Sequence, residues 1–391
     1  MFKQAKDFMD SMVAEGRTPG CGVIVTKNGK EVFRYVTGYN SLEEKTLLKG
    51  DEYYYIYSAS KITTVVAAMQ LLEQGKFLLT DPLSKFIPEY SNVKVKTRSG
   101  VFAPKSPILM RHLFTMTAGL DYDFSPILDE AAELTDGRMD TVTVARLLAK
   151  KPLDFHPGTE FQYSLCHDVL AAVVEIISGM RFSEYVQKNI FDPLGMDKTT
   201  LHATPEILEK MAVQYDFVPD GSTELGDIVE AQASGNAENG RFVLHNNKNV
   251  YDIGPDYESG GASVITCLDD YIKLLTALAC DGVGANGNRI LSRSSIELMR
   301  RPALKGKQLD AFDWEQYRGY NYGLGVRTLV DRLAGSSLSN VGEFGWCGAA
   351  GSACLMDPSE RVAMFFVQHT LNPREEYYFP RIRNAVMAGI E

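Results

Sequence analysis

The sequence predicts an α+β protein in which an antiparallel β-sheet, built from both chain ends and flanked by terminal helices, carries an inserted and mostly helical domain. Three observations lead there. Short β-branched and aromatic runs divided by turn residues crowd the two ends, in GCGVIVTKNGKEVFRYVTGYN (20–40) and again from 321 to 370. Apolar residues at helical spacing open the chain in MFKQAKDFMDSMVAEG and close it in EEYYFPRIRNAVMAGI. Between the ends, the periodicity is mainly helical. Residues 1–60 and 255–391 are therefore assigned to the sheet domain, and 61–254 to the insertion.

Phe2, Ala5, Phe8, Met9, Met12 and Val13 share one face of the first helix. The next segment is a hairpin turning at Asn28-Gly29. Helices are expected at about 61–75, 109–117, 141–150, 165–178 and 183–190. The polar, Gly- and Asn-rich stretch 219–261 reads as a long loop, of a length that usually serves as a lid or flexible segment. NYGLGVRTLV, AGSACLMDP and RVAMFFVQHT supply the last strands before the closing helix.

Hydrophobic content of 45% and charged content of 23% over 391 residues exclude a disordered chain. The net charge of -10 arises without a long acidic run, and Lys and Arg are scattered, so nucleic acid is not an expected partner. Lys3, Lys6, Asp7 and Asp10 interrupt the first apolar segment, unlike an export signal. No apolar run approaches the roughly 20 residues of a membrane span. The six dispersed cysteines lack CxxC spacing and read as reduced thiols, so the expectation is a soluble cytoplasmic protein with its oligomeric state left open.

No metal or cofactor is expected. Gly282–Gly287 matches GxGxxG but follows a helical segment instead of a strand, so it reads as a turn. P-loop, HExxH and metal-ligand spacings are lacking, and His112, His156 and His167 read as structural. GxSxG is missing as well.

Ser-x-x-Lys occurs twice. Ser91 and Lys94 lie in a charged stretch without helical period, whereas Ser58 and Lys61 head the apolar run ITTVVAAMQLLEQG, with Val65, Ala68, Met69 and Leu72 on one face. Positions i and i+3 share a helix face, so the Lys61 amine can reach the Ser58 hydroxyl. Burial there would lower the proton affinity of the lysine and activate the serine, near the positive end of the helix dipole. A serine cap beside a snorkelling lysine explains the pair equally well.

The downstream pattern separates the two. HPGTEFQYSLCHDVLAAVVEIISG places Tyr163 after a Pro-Gly turn and before an apolar helix, and EFGWCGAAGSACLMDP places Trp346-Cys347-Gly348 ahead of strand-like residues. With Ser58 and Lys61, these segments resemble the serine β-lactamase-like hydrolases: class C β-lactamases, DD-peptidases and family VIII carboxylesterases. RHLFTMTAGL, FDPLGMDKT, ESGGASVITCLDDYIKLL and YGLGV extend the resemblance along nearly the whole chain. Tyr90-Ser-Asn92, the literal Tyr-x-Asn, comes too soon after Ser58.

The resemblance implies a Ser58 nucleophile with Lys61 and Tyr163 as its proton-transfer partners, and an oxyanion hole from the backbone N–H groups of Ser58 and Ala349. Which of Lys61 and Tyr163 is the base stays open. Trp346, Gly348, Leu165 and Tyr122, with the Tyr53 to Tyr57 approach and the 219–261 loop, would contact substrate. Leu165 replaces the usual Asn and cannot bond an acylamino group, while Trp346 in Trp-x-Gly resembles the esterase branch. The expected substrate is a small ester or amide, foremost an ester of a short or medium uncharged acyl group. The alternatives are a β-lactamase or D-amino-acid peptidase, with an arginine from 289–301 holding the substrate carboxylate, and a non-catalytic binding or scaffold protein.

Overall fold

A computed structural model describes residues 1–220, 239–246 and 248–390. Eight strands form one antiparallel sheet in the spatial order Tyr320–Tyr322, Arg327–Leu329, Phe344–Cys347, Ala353–Asp357, Val362–Val367, Gly20–Lys27, Lys30–Ser41 and Thr46–Leu47. Both chain ends thus meet at the pairing of Gly20–Lys27 with Val362–Val367, where Val23 lies opposite Phe366. The hairpin turns at Asn28 and Gly29, with φ of 52° and 78°, the left-handed pair that a two-residue connection needs.

VAMFFV is buried at every position because helices cover both faces of the sheet. Neighbouring strand residues point to opposite faces. Phe365 meets Tyr271 of the Leu268–Ala279 helix, and Phe366 stacks on Tyr378 of the closing Glu375–Met387 helix. The first helix, Lys3–Ala14, packs beside the closing one. The Gly282–Gly287 stretch is a turn after Leu268–Ala279, with the Gly284 N–H bonded to the Asn288 carbonyl.

The Lys61–Glu73 helix runs through the interior, with every residue from Lys61 to Leu71 buried. Its pattern is accordingly apolar almost all round, beyond the single face marked by Val65, Ala68, Met69 and Leu72. It packs against the Cys166–Ser178 helix, which ends at Gly179 in the left-handed conformation.

Some expected elements change. The 109–117 helix contracts to Met110–Phe114, since Met116 takes φ of 55° and breaks it. The 183–190 helix begins as Phe182–Val186 and widens into a π-turn over Gln187–Phe191. The 219–261 loop holds a strand: Gly240–Leu244 pairs with Tyr215–Pro219, whose other edge takes Thr370–Leu371. RFVL and YDFV carry the aromatic and β-branched residues that favour this pairing. Residues 221–238 and 247 of that stretch lie outside the described residues.

A buried ion pair fastens the sheet to the closing helix. Arg327 and Glu343 are fully buried 3.4 Å apart, and burial raises the proton affinity of Glu343 despite the guanidinium. Tyr320 Oη donates to Glu343 Oε2 at 2.6 Å and accepts from Arg383 Nη1 at 2.9 Å. The Arg327 guanidinium also lies 4.1 Å from the Phe379 ring centre. Removing one partner strands a charge in the core, so Glu343→Ala should lower unfolding free energy by about 3–5 kcal/mol. Urea denaturation of both proteins measures the difference.

Candidate active site

The backbone turns sharply to present Ser58. Tyr54–Tyr55 pairs with Ile265–Thr266, after which Tyr57 takes φ of 44° and a 3₁₀ turn over Tyr57–Ser60 leads into the Lys61–Glu73 helix. A tyrosine in the left-handed region costs about 1–3 kcal/mol, which its setting must offset. The Tyr57 side chain is fully buried and paired with the Gln214 amide at 3.0 Å. Ser58 itself is half-buried, one turn ahead of the helix proper.

Lys61 is buried with its Nζ satisfied. It donates to Ser58 Oγ at 3.2 Å, Tyr122 Oη at 2.9 Å and the Gly261 carbonyl at 3.0 Å, and lies 4.7 Å from the Tyr163 ring centre. Desolvation pushes its pKa down to about 7, against the opposing pull of Asp168. An amine so poised can take a proton at neutral pH.

Tyr163 follows the Pro157-Gly158 turn, just before the Cys166–Ser178 helix. Its oxygen accepts from Trp346 Nε1 at 2.9 Å, and Ser58 and Tyr122 neighbour the same hydroxyl. Burial raises the proton affinity of both phenols, so each holds its proton near neutrality. Trp314, Trp346 and Tyr122 surround the Tyr163 ring at 5.3, 5.4 and 5.5 Å between centres.

Gly348 sets the distance between the Phe344–Cys347 strand and the Ser58 turn. A Cβ on Gly348 would lie 2.1 Å from the Ile56 carbonyl and 2.4 Å from Ser352 Oγ, so no larger residue fits without displacement. Ser352 Oγ donates to that carbonyl at 3.0 Å, and its own carbonyl accepts from the Gly348 N–H at 2.8 Å. These bonds bring half-buried Ala349 against the Tyr55 and Tyr57 cluster beside Ser58.

Ser58, Lys61, Tyr122, Tyr163, Trp346, Gly348 and Ala349 thus converge. Leu165 does not join them: its side chain is 1% exposed, in a cleft with Leu120, Leu148 and Pro152 that Asp121 and Lys151 also line. His112, His156 and His167 take the backbone partners Leu109, Lys105 and Phe114. Sequence reasoning missed three contributors. Tyr251 lies 5.7 Å from the Tyr122 ring, Trp314 packs on Tyr163, and Asp168 projects from the Cys166–Ser178 helix toward Lys61. Asp168 lies in the first turn of that helix, which also carries Glu175, so nothing in the sequence sets it apart.

A sheet with helices on both faces and an interior helix that delivers a serine and a desolvated lysine to a tyrosine define a serine hydrolase of the β-lactamase type. The chain belongs to the Beta-lactamase family, which residues 5–387 match. Esterase EstB of Burkholderia gladioli is 26% identical over 375 residues, covering 92% of this chain and 88% of that protein. The ML-236A carboxylate methylbutanoyltransferase mlcH of Penicillium citrinum is 26% identical over 328 residues, covering 77% and 72%. Among solved structures, EstCE1, a hydrolase with promiscuous acyltransferase activity, matches with a TM-score of 0.77 at 25% identity over 98% of each chain.

Gly348→Ala should slow covalent labelling of Ser58 by a fluorophosphonate about 100-fold or more while the protein stays folded, because the added methyl displaces the strand end from the serine. Labelling rates, read by intact-protein mass spectrometry beside circular dichroism, check this.

Proposed function

We propose that the protein hydrolyses esters of short or medium, uncharged acyl groups through an acyl-enzyme on Ser58, and passes the acyl group to alcohols where these replace water. The observation that carries this reading is the buried Lys61 amine, 3.2 Å from Ser58 Oγ with its pKa near 7. Lys61 takes the Ser58 proton as Oγ attacks the ester carbonyl. The N–H groups of Ser58 and Ala349 stabilise the oxyanion. Tyr163 then relays the proton to the leaving alcohol, the C–O bond breaks, and the acyl group stays on Ser58. Water, deprotonated through the same groups, releases the acid and restores the serine.

This assignment makes Lys61 the base. Its proton affinity is lowered and that of Tyr163 is raised, so the neutral amine is the accessible acceptor. The named esterase and acyltransferase relatives support the substrate class.

Two features count against a β-lactam or D-peptide substrate. Leu165 offers no amide, and three of the four arginines of 289–301 are occupied elsewhere, the fourth, Arg301, being exposed. Arg289 bonds the Asp281 and Leu291 carbonyls, Arg293 faces Asp281, and Arg300 bonds Glu297 and the Gly342 carbonyl. The walls around the hydroxyls are aromatic, which suits an uncharged acyl group. The six buried free thiols suit a reducing compartment, and the cytoplasm is the proposed location. Among the described residues, no helix is long and apolar enough to cross a membrane.

Mass spectrometry after incubation with nitrophenyl esters should find the acyl group on Ser58, and Ser58→Ala should lose it. Efficient nitrocefin turnover with negligible ester turnover would favour the β-lactamase alternative. The acylation rate should rise from pH 6 to pH 8, because Lys61 is protonated below its pKa of about 7 and accepts the serine proton only above it. A flat profile for single-turnover acylation over that range would remove Lys61 as the base.

A further inference from the structure

We propose that Asp168 is a positioning residue for acyl transfer, a carboxylate held across Gly261 from Lys61 that tunes when the amine loses its proton. The inference rests on the hydrolase reading above and adds a residue to it.

Asp168 is 3% exposed in the first turn of the Cys166–Ser178 helix. One oxygen, Oδ1, accepts from Tyr257 Oη at 2.8 Å and from Ser259 Oγ at 2.5 Å. Ser259 Oγ in turn accepts from the Gly261 N–H at 3.2 Å. The second oxygen, Oδ2, is buried and has no hydrogen-bond donor among the described residues. It faces Lys61 across Gly261: a Cβ on that glycine would lie 2.9 Å from Oδ2 and 3.1 Å from Lys61 Nζ.

The segment gets this close because it lacks side chains. A Cβ on Gly260 would lie 2.2 Å from the His167 carbonyl, and the Gly260 carbonyl accepts from Thr64 Oγ1 at 2.6 Å. Glycine at 260 and 261 thus lets one strip of backbone lie between two helices, giving its carbonyl to Lys61 and leaving the carboxylate unscreened behind it. Two donors fix the carboxylate, and its free oxygen is left toward the amine.

Other groups around the amine keep one charge state through the working range. Burial pushes Cys166 up to about 12 and His167 down to about 3, and raises Tyr122, Tyr163 and Tyr257. Tyr251 is pushed up to about 12. Glu175, on the same helix and pushed up to about 7, faces Phe182, Arg181 and Glu258 instead. An acid limb near neutrality therefore reports Lys61, and Asp168 is the anion that raises its proton affinity against desolvation.

The test compares wild type, Asp168→Asn and Asp168→Glu in two measurements. The first is a direct titration of Lys61 by NMR of ¹³Cε-labelled lysine, assigned with Lys61→Arg, which needs no turnover. The second is the pH profile of kcat/KM on a short nitrophenyl ester. Asp168→Asn keeps an acceptor for Tyr257 and Ser259 but loses the charge. Its Lys61 should titrate at least about half a pH unit lower, with the acid limb of kcat/KM moved by the same amount and a reduced plateau at high pH. Asp168→Glu should return both toward wild type. An unmoved Lys61 titration in folded Asp168→Asn overturns the inference, whatever the activity. If the titration moves but wild-type Ser58 forms no acyl or phosphonyl adduct, the hydrolase reading fails and the electrostatic coupling stands.

Discussion

The site depends on a lysine amine kept out of water. Lys61 sits on a helix buried along nearly its whole length, and its three hydrogen-bond partners are a serine, a phenol and a backbone carbonyl, none of them charged. Such a setting solvates an ammonium poorly, so the proton is held loosely. The aromatic rings packed over the amine, the glycine strip beneath it and the sharp turn that carries Ser58 all act by fixing the surroundings of this one nitrogen.

Those surroundings come from distant parts of the chain. Tyr122 arrives from the loop after the Met110–Phe114 helix, Tyr163 from the segment ahead of the Cys166–Ser178 helix, Gly261 from the approach to the Ile265–Thr266 strand, and Trp346 from the sheet. The large sheet matters to chemistry because its Phe344–Cys347 strand ends in Gly348, which alone can lie against the Ile56 carbonyl. Tyr57, directly before Ser58, holds a positive φ whose cost is offset by full burial of its side chain and its bond to Gln214.

Much of this was legible in the sequence, for identifiable reasons. Period-two and helical patterns marked the hairpin, the two terminal helices and the Lys61–Glu73 helix, since their local preferences agree with their tertiary roles. The resemblance to the serine β-lactamase-like hydrolases singled out Ser58, Lys61, Tyr163 and Trp346, and the structure brings them together. Leu165 was placed by position in the motif, but an apolar side chain goes to the core whichever motif contains it. Asp168 was passed over because an acid in the first turn of a helix is ordinary, and only the glycine strip, invisible to periodicity, gives it a lysine to act on. The Tyr215–Pro219 and Gly240–Leu244 pairing was hidden by a polar stretch between its strands. The π-turn at Gln187–Phe191 has no pattern distinct from that of a helix.

The most direct measurement is a crystal structure of the protein after reaction with diethyl p-nitrophenyl phosphate. The expected result is phosphorus bonded to Ser58 Oγ, its phosphoryl oxygen within hydrogen-bond distance of the Ser58 and Ala349 N–H groups, and Lys61 Nζ still beside Oγ. Phosphorus on another residue, or on Ser58 with the phosphoryl oxygen turned away from both N–H groups, would contradict it.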